Sequence, residues 1–342
     1  MKFNYPKICS KLLENIPERG IDVIEKRFGL KDGKRKTLEA VGKDYGITRE
    51  RVRQIEKEGF SKISANTKKY KQVFKHFDDV LKSFGDIRRE DMLLSFLGGK
   101  KFQNNIFFLL KISDDFEKLQ ENKDFYPLWS RKKESANIAK KIAKSTIKKL
   151  ESKKTLLSLE ELFRVQKSEI SKISNKKINQ DIFNSYFEIS KEIQKNSENK
   201  FGLKNWIEIN PHGAKDRAYL VLQRNNKPLH FSQIADFMRD SSFLPKKETH
   251  IATIHNELIK DSRFVLVGRG IYALEEWGYG IGTVKDVILK ILKESKNPLK
   301  KQEVLKKVSK QRIVKDNTIF LNLQNQKYFS KDSKGRYTVR EA

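Results

Sequence analysis

The stretch Thr37-Leu38-Glu39-Ala40-Val41-Gly42-Lys43-Asp44-Tyr45-Gly46-Ile47-Thr48-Arg49-Glu50-Arg51-Val52-Arg53-Gln54-Ile55-Glu56-Lys57-Glu58 decides the reading of the N-terminal part. Thr37 is a suitable N-cap, because its hydroxyl takes up a free N–H of the first helical turn. The helix it opens ends at Gly46, a residue that tolerates positive φ at a helix C-terminus. Ile47 follows, and Thr48 caps a further helix from Arg49 to Glu58. Upstream, Pro17 to Phe28 places Ile21, Ile24 and Phe28 on one apolar stripe at i, i+3 and i+7, which predicts an amphipathic helix stopped by Gly29. Helix, short Gly-containing turn, helix is the helix-turn-helix arrangement.

Within the helix after Thr48, Val52, Ile55 and, in its continuation, Ile63 point inward. Arg49, Glu50, Arg53 and Gln54 fall at i, i+1, i+4 and i+5, so they share the outward face. Arg pairs bidentately with guanine, Gln pairs with adenine and Glu accepts from cytosine. A helix of this kind enters the major groove by its N-terminal end. A solvated charged face has the same pattern, and most Arg/Glu runs are of that sort.

Outside this segment, composition narrows the choices. The chain has 342 residues, a prior of roughly two domains. With 73 Lys and Arg against 44 Asp and Glu, its formal charge is +29. Such an excess makes a polyanion the default partner, nucleic acid first and an anionic membrane surface second. The 22 Phe, 10 Tyr and 3 Trp exclude a disordered basic tail, and the scarcity of Gly and Pro favours a mainly α protein. Cys9 is the only cysteine, which excludes an intramolecular disulfide and a cysteine-based zinc site. The start of the chain has no apolar signal-peptide core, and apolar runs such as Ile106 to Leu110 are too short to span a bilayer. The expected setting is cytoplasmic, in association with the nucleoid.

Three strings, Glu18 to Leu30, Thr37 to Gly42 and Ile47 to Glu56, together resemble region 4 of primary bacterial sigma factors. The unbroken run from Thr48 to Glu56 is the most specific of them. The resemblance covers about fifty residues, within Ile16 to Ser64. It implies a helix that reads the −35 promoter element, with Arg49, Glu50, Arg53 and Gln54 at base-contacting positions. It places Thr37 and Arg51 near phosphates. It also implies docking on the flap of the RNA polymerase β subunit through the first helix, around Ile24 and Phe28. Nothing in the rest of the sequence resembles sigma region 2, so such a chain is not expected to melt a promoter unaided.

Past residue 66 the tryptophans mark a repeat. Trp129, Trp206 and Trp277 lie in Phe125-Tyr126-Pro127-Leu128-Trp129, Phe201-Gly202-Leu203-Lys204-Asn205-Trp206 and Tyr272-Ala273-Leu274-Glu275-Glu276-Trp277; Tyr337 to Glu341 is a fourth copy without its Trp. Each segment follows a turn flanked by apolar residues (Leu119 and Phe125, Ile193 and Phe201, Val265 and Tyr272, Phe329 and Tyr337), the pattern of a β-hairpin. Apolar helices are predicted before each hairpin, over Asn104–Ser113, Ile178–Ser190, Thr249–Lys260 and Thr318–Gln326. Shorter ones precede these at Glu90–Leu97, Leu159–Val165, Phe231–Met238 and Lys301–Val308. A longer helix opens a unit, as at Ile138–Leu150 or Val284–Lys293. Three helices and a hairpin, four times, predict tandem winged helices after the helix-turn-helix. The expected divisions are 1–66, 67–130, 131–209, 210–280 and 281–342. One irregular helical domain with scattered aromatics is the alternative.

The third copy resembles the HARE-type winged helix over roughly Ala214 to Tyr279. The resemblance rests on Ala218 to Leu222, Lys227 to Ala235 and Asp261 to Leu274. It implies association with DNA or RNA polymerase and no catalysis. The fourth copy aligns with it at Asn297-Pro298-Leu299 beside Lys227-Pro228-Leu229, and at Gly335-Arg336-Tyr337 beside Gly270-Ile271-Tyr272. The presumed recognition helix of the third copy carries Thr249, His250, Thr253 and Asn256, but Glu248, Glu257 and Asp261 make it a poor phosphate surface. The helix from Ser135 to Lys154 has an apolar stripe at Ile138, Ile142, Ile147 and Leu150. Its Lys140, Lys141, Lys144, Lys148 and Lys149 read either as solvation or as a phosphate track.

Chemistry is not legible. His76, His212, His230, His250 and His255 are too scattered for a metal site, and neither Gly98-Gly99-Lys100-Lys101 nor Gly278 to Gly282 has phosphate-loop spacing. The expectation is a non-enzymatic DNA-binding transcription protein with no cofactor, no metal and no small-molecule substrate. Its partners would be duplex DNA with a −35-like element and RNA polymerase core. Arg49, Glu50, Arg53 and Gln54 would read bases, and Lys34, Arg35, Lys36, Thr37, Thr48 and Arg51 would hold phosphates. The rival is a polymerase accessory or scaffold protein whose winged helices bind protein.

Overall fold

The computed structural model describes residues 3–64, 66–244, 248–295 and 297–340. The chain divides into two compact units: Met1–Lys195 with Asn199–Lys204, and Asn196–Glu198 with Asn205–Ala342. The structure is mainly α-helical, with small antiparallel sheets.

The first unit begins with α1 (Tyr5–Leu13), α2 (Glu18–Phe28), α3 (Leu38–Tyr45) and α4 (Arg49–Ser64). The expected caps are in place. The Thr37 hydroxyl accepts from the Ala40 N–H at 3.1 Å, and that of Thr48 accepts from the Arg51 N–H at 3.2 Å. Gly29 and Gly46 end α2 and α3 in the left-handed region, at φ 59° and 63°. The turn between α3 and α4 needs Gly42 for another reason: a Cβ there would lie 2.6 Å from the Ile47 carbonyl oxygen.

After α4 one element order is repeated four times. The first copy is α5 (Lys71–Ser83), β1 (Ile87–Arg89), α6 (Glu90–Gly98), α7 (Gln103–Ile112), β2 (Glu117–Leu119) and β3 (Leu128–Ser130). The second is α8 (Lys133–Lys153), α9 (Leu159–Ile173), α10 (Gln180–Phe187), β4 (Ile193–Lys195) and β5 (Phe201–Leu203). In the second unit the third copy is α11 (Gly213–Asn225), β6 (Leu229–His230), α12 (Phe231–Asp240), α13 (Ile251–Lys260), β7 (Phe264–Gly268) and β8 (Ile271–Leu274). The fourth is α14 (Val284–Glu294), β9 (Leu299–Lys300), α15 (Lys301–Ser309), α16 (Asp316–Leu323), β10 (Phe329–Lys331) and β11 (Arg336–Val339).

Three copies close the same three-stranded sheet, with the short strand before the second helix paired to the last strand: β1-β3-β2, β6-β8-β7 and β9-β11-β10. In the second copy a single bridge from Leu157 to Phe201 stands where that short strand would be. The alignment of the third and fourth copies holds in the register, since Leu229 pairs with Tyr272 and Leu299 with Tyr337. This is the order of a winged helix, and its short first strand is not legible in the sequence. Two or three residues are too few to show a period of two.

Several boundaries differ from expectation. The helix predicted over Leu159–Val165 continues to Ile173, because Gln166 and Ile170 extend its buried stripe and a Ser158–Glu161 capping box fixes its start. The helix predicted over Ile178–Ser190 is shorter, capped by the Asn179 side chain. The second strand of the first hairpin starts at Leu128, after Pro127, not at Phe125, whose N–H is taken by the Asn122 side chain at 2.8 Å. The tryptophans are therefore not all equivalent. Trp129 lies within β3, buried, with Nε1 donating to Glu90 at 3.0 Å, whereas Trp206 and Trp277 follow their strands by three residues.

The packing binds the helix-turn-helix to the first winged copy. One core runs from Tyr5, Leu12, Ile24 and Phe28 through Ile63, Phe77 and Leu81 to Phe108, Leu109 and Trp129. The helix-turn-helix has in addition a small core of Val23, Val41 and Val52. The third helix of each copy in this unit is turned toward the preceding element rather than outward. Phe107 and Phe108 of α7 pack on Phe28, and α10 packs on the first copy through Ser185, which donates to the Ile87 carbonyl at 2.8 Å, and Tyr186, which donates to the Gly85 carbonyl at 2.8 Å. Gly85 allows that approach, since a Cβ there would sit 2.7 Å from the Tyr186 ring. Asp86 ties the two copies further, accepting from Arg131 at 2.5 Å, Ser135 at 3.1 Å and Lys176 at 3.3 Å.

Within the second unit, the fourth copy is joined to the wing of the third. Arg312 is buried, and its guanidinium donates to the carbonyls of Leu266 and Gly282. The Ile313 N–H donates to the Val267 carbonyl at 2.7 Å.

Candidate nucleic-acid interface

The residues expected to read bases lie on the first turns of α4. Arg49, Glu50, Arg53 and Gln54 are all exposed, and Val52 between them is buried against Val23 and Val41. This alternation follows from the helix period: one position in three or four enters the small core, and the intervening ones face water. The helix is held from behind by Arg27 of α2, whose Nε donates to Glu56 at 3.0 Å, and by the packing of Phe60 on Phe28.

The outward side chains are not independent. Arg53 donates from Nε and Nη2 to the two carboxylate oxygens of Glu50. The hydrogen bond from Arg53 holds the Glu50 carboxyl below its ordinary range, and the same bond raises the Arg53 guanidinium. Arg51 donates to the Gln54 side-chain oxygen at 3.1 Å and lies 3.8 Å from Glu58. Arg49 opens the helix with no carboxylate within 4.0 Å among the described residues. From Arg49 to Glu58 there are four cations against three carboxylates. The face has directional donors and acceptors but little net charge.

The expected phosphate-holding residues divide. Lys34 is exposed, and its backbone N–H is held by the Asp32 side chain at 2.9 Å. Thr37 and Thr48 use their hydroxyls as caps. Lys36 is paired with Asp44 at 2.7 Å, and that hydrogen bond holds Asp44 below its ordinary range. Arg35 is stacked over the Phe107 ring at 3.9 Å and donates to Asn104 at 2.7 Å, so its guanidinium is engaged by the first winged copy.

Ile24 and Phe28 stand in a packed interior. Ile24 is fully buried and Phe28 is 3% exposed. Phe28 meets Phe60, Phe107 and Phe108 at ring-centroid distances of 5.8, 5.8 and 5.3 Å. Contact with another protein through these two side chains requires α2 to part from α4 and α7.

Asn104 is not legible in the sequence as a site residue. Its amide donates to the carbonyls of Gly29 at 3.0 Å and Gly33 at 2.9 Å, and its oxygen accepts from Arg35, so one side chain fixes the loop before α3. The contact spans about seventy residues of sequence, and no local pattern announces it.

In the third copy, α13 differs from α4. Ile251 and Ile259 are 46% and 63% exposed, and Arg217 holds Thr249. His255 packs on the Phe231 ring at 4.5 Å and meets Tyr272 edge-on, and the His230 ring caps α12 by accepting from the Ser232 N–H at 3.3 Å. Among the described residues no group of His, Cys, Asp and Glu is placed to hold a metal ion, and no helix is long and apolar enough to cross a membrane.

Comparison with known proteins bears on this same segment. Residues 12–65 match the family model described as sigma-70, region 4. A stretch of 52 residues is 50% identical to the RNA polymerase sigma factor SigA of a Bacillus species, a match that covers 15% of this chain and 14% of that protein. The N-terminal segment, which contains α3 and α4, is a helix-turn-helix and is similar to sigma-70 region 4.

Proposed function

We propose that this chain is a transcription protein that reads a −35-like element in duplex DNA through α4 and works in association with RNA polymerase. The observation that carries the reading is the exposed set Arg49, Glu50, Arg53 and Gln54 on a capped helix whose back is buried, inside the segment that matches sigma-70 region 4. Arg53 held by Glu50 is pre-aligned as a fork, the geometry suited to guanine. Lys34, Arg51 and the helix N-terminus at Thr48 supply the nearest phosphate contacts. The third copy is proposed to be a HARE-type winged helix.

A second reading, in which the winged copies bind protein, has specific support at α13. That helix presents exposed Ile251 and Ile259, with Glu248 just before its start, a largely apolar surface unsuited to phosphates. The two readings are compatible, with α4 on DNA and α13 on protein.

The test is selection of bound sequences from random duplex DNA at two salt concentrations. Enrichment of a TTGAC-like motif that persists at the higher salt supports readout by α4. Binding that yields no motif and collapses with salt overturns it and leaves the protein-binding reading.

A further inference from the structure

We infer that the outer face of α8 is a second, sequence-independent contact for the phosphate backbone of duplex DNA; this rests on the DNA-binding reading above. The inner face of α8 is buried through Ser135, Ala136, Ala139, Ile142, Ala143, Thr146 and Leu150. At about 100° per residue, Lys133, Asn137, Lys141, Lys144 and Lys148 fall within an arc of about 80° on the opposite side. All five are exposed. From Lys133 to Lys148 the stripe is about 22 Å long, at 1.5 Å per residue.

The charge on this stripe is unspent. Among the described residues none of its four lysines lies within 4.0 Å of a carboxylate, in contrast to ion-paired lysines such as Lys36 and Lys118, although other lysines of the unit are unpaired as well. The carboxylates of α8, Glu134 and Glu151, stand at its two ends and leave the stretch from Asn137 to Lys148 purely cationic. The base-reading face of α4 is nearly neutral and adds little attraction for phosphates beyond the contacts at its N-terminus. Several ammonium groups along one face of a rigid helix suit a repeating phosphate chain, because each neutralised phosphate releases a counterion. The stripe has no aromatic side chain on which a single strand would stack, and no apolar residues that would enter a lipid interface.

The experiment compares K141Q/K144Q/K148Q with K82Q/K172Q/K290Q in the full chain. The second variant removes the same charge at exposed lysines that are ion-paired. Binding to a duplex carrying the selected site is followed by fluorescence anisotropy between about 50 and about 200 mM salt, a range over which such contacts weaken strongly. Far-UV circular dichroism checks that both variants are folded. The stripe variant is expected to lower the slope of log K against log salt by about 2–3, with the preferred sequence unchanged. Equal slopes in the two variants, with the wild type still selecting its motif, overturn the α8 contact alone. A wild type that binds no DNA overturns both the contact and the reading beneath it.

Discussion

Arg53 donates to both carboxylate oxygens of Glu50, from Nε at 2.9 Å and from Nη2 at 2.6 Å. The pair is exposed, so its worth lies in orientation more than in stability. Arg53→Ala is expected to lose discrimination at one base pair by about tenfold to a hundredfold, and to leave thermal stability unchanged. Glu50→Gln is expected to raise non-specific binding, because a negative charge is removed, while the same base pair becomes less selective, because the guanidinium is released from the carboxylate that orients it. Competition binding with single-base variants of the selected site reads both. An unaltered preference in Arg53→Ala would remove this residue from base readout.

Phe28 joins the helix-turn-helix to α7, and its truncation tests whether they form one folding unit. Phe28→Ala is expected to cost about 3–5 kcal/mol, the usual range for a buried aromatic. The loss is expected to appear as a shift of one cooperative denaturation step that includes Trp129, which belongs to the same core. A fragment ending at residue 66 is expected to be far less stable than one ending at 132. Equal stability of the two fragments would show that the helix-turn-helix stands alone.

Gly42 separates a structural from an electrostatic loss of binding. A methyl group there would meet the Ile47 carbonyl oxygen at 2.6 Å, and the α3–α4 turn would have to shift. Gly42→Ala is expected to cost about 1–3 kcal/mol and to abolish sequence preference. Salt-sensitive, non-specific binding through other basic surfaces is expected to remain. Retention of the motif would mean that the turn absorbs the methyl group without moving α4.

Asp86 makes the joint between the first two winged copies sensitive to acid. Burial pushes its pKa upward, but hydrogen bonds from Arg131, Ser135 and Lys176 outweigh burial and hold it below the ordinary aspartate range. Its folded value is thus lower than its unfolded one. The stabilisation is complete above the ordinary aspartate range and disappears as pH falls through the depressed value. Asp86→Asn is expected to cost about 1–3 kcal/mol at neutral pH, and the gap to the wild type should close under strongly acidic conditions. Urea titrations at several pH values measure this; a gap that does not narrow with acid would assign the cost to packing.

The sequence by itself determined the local parts. Thr37, Gly46 and Thr48 announce the ends of two helices because capping is satisfied within a turn, and Val41 and Val52 fall inward by helical period alone. The four hairpins and the helices before them are legible for the same reason, as alternation and turn residues act over a few positions. The alignment of the fourth copy with the third is legible too, but the pairing of Leu229 with Tyr272 and of Leu299 with Tyr337 is not, because those first strands are too short to show a period.

Only the tertiary structure decided which surfaces stay free. Ile24 and Phe28 form a stripe that any partner of the right shape covers, and it is α4 and α7 of the same chain that do so. Arg35 looks like a phosphate ligand until Phe107 and Asn104 occupy it. Ser185, Tyr186 and Gly85 carry no signal of the joint they form, because the residues meet from about a hundred positions apart. Apolar period states that a face must be buried; the burial is satisfied equally by another protein or by a distant segment of the same chain, and local sequence does not distinguish the two.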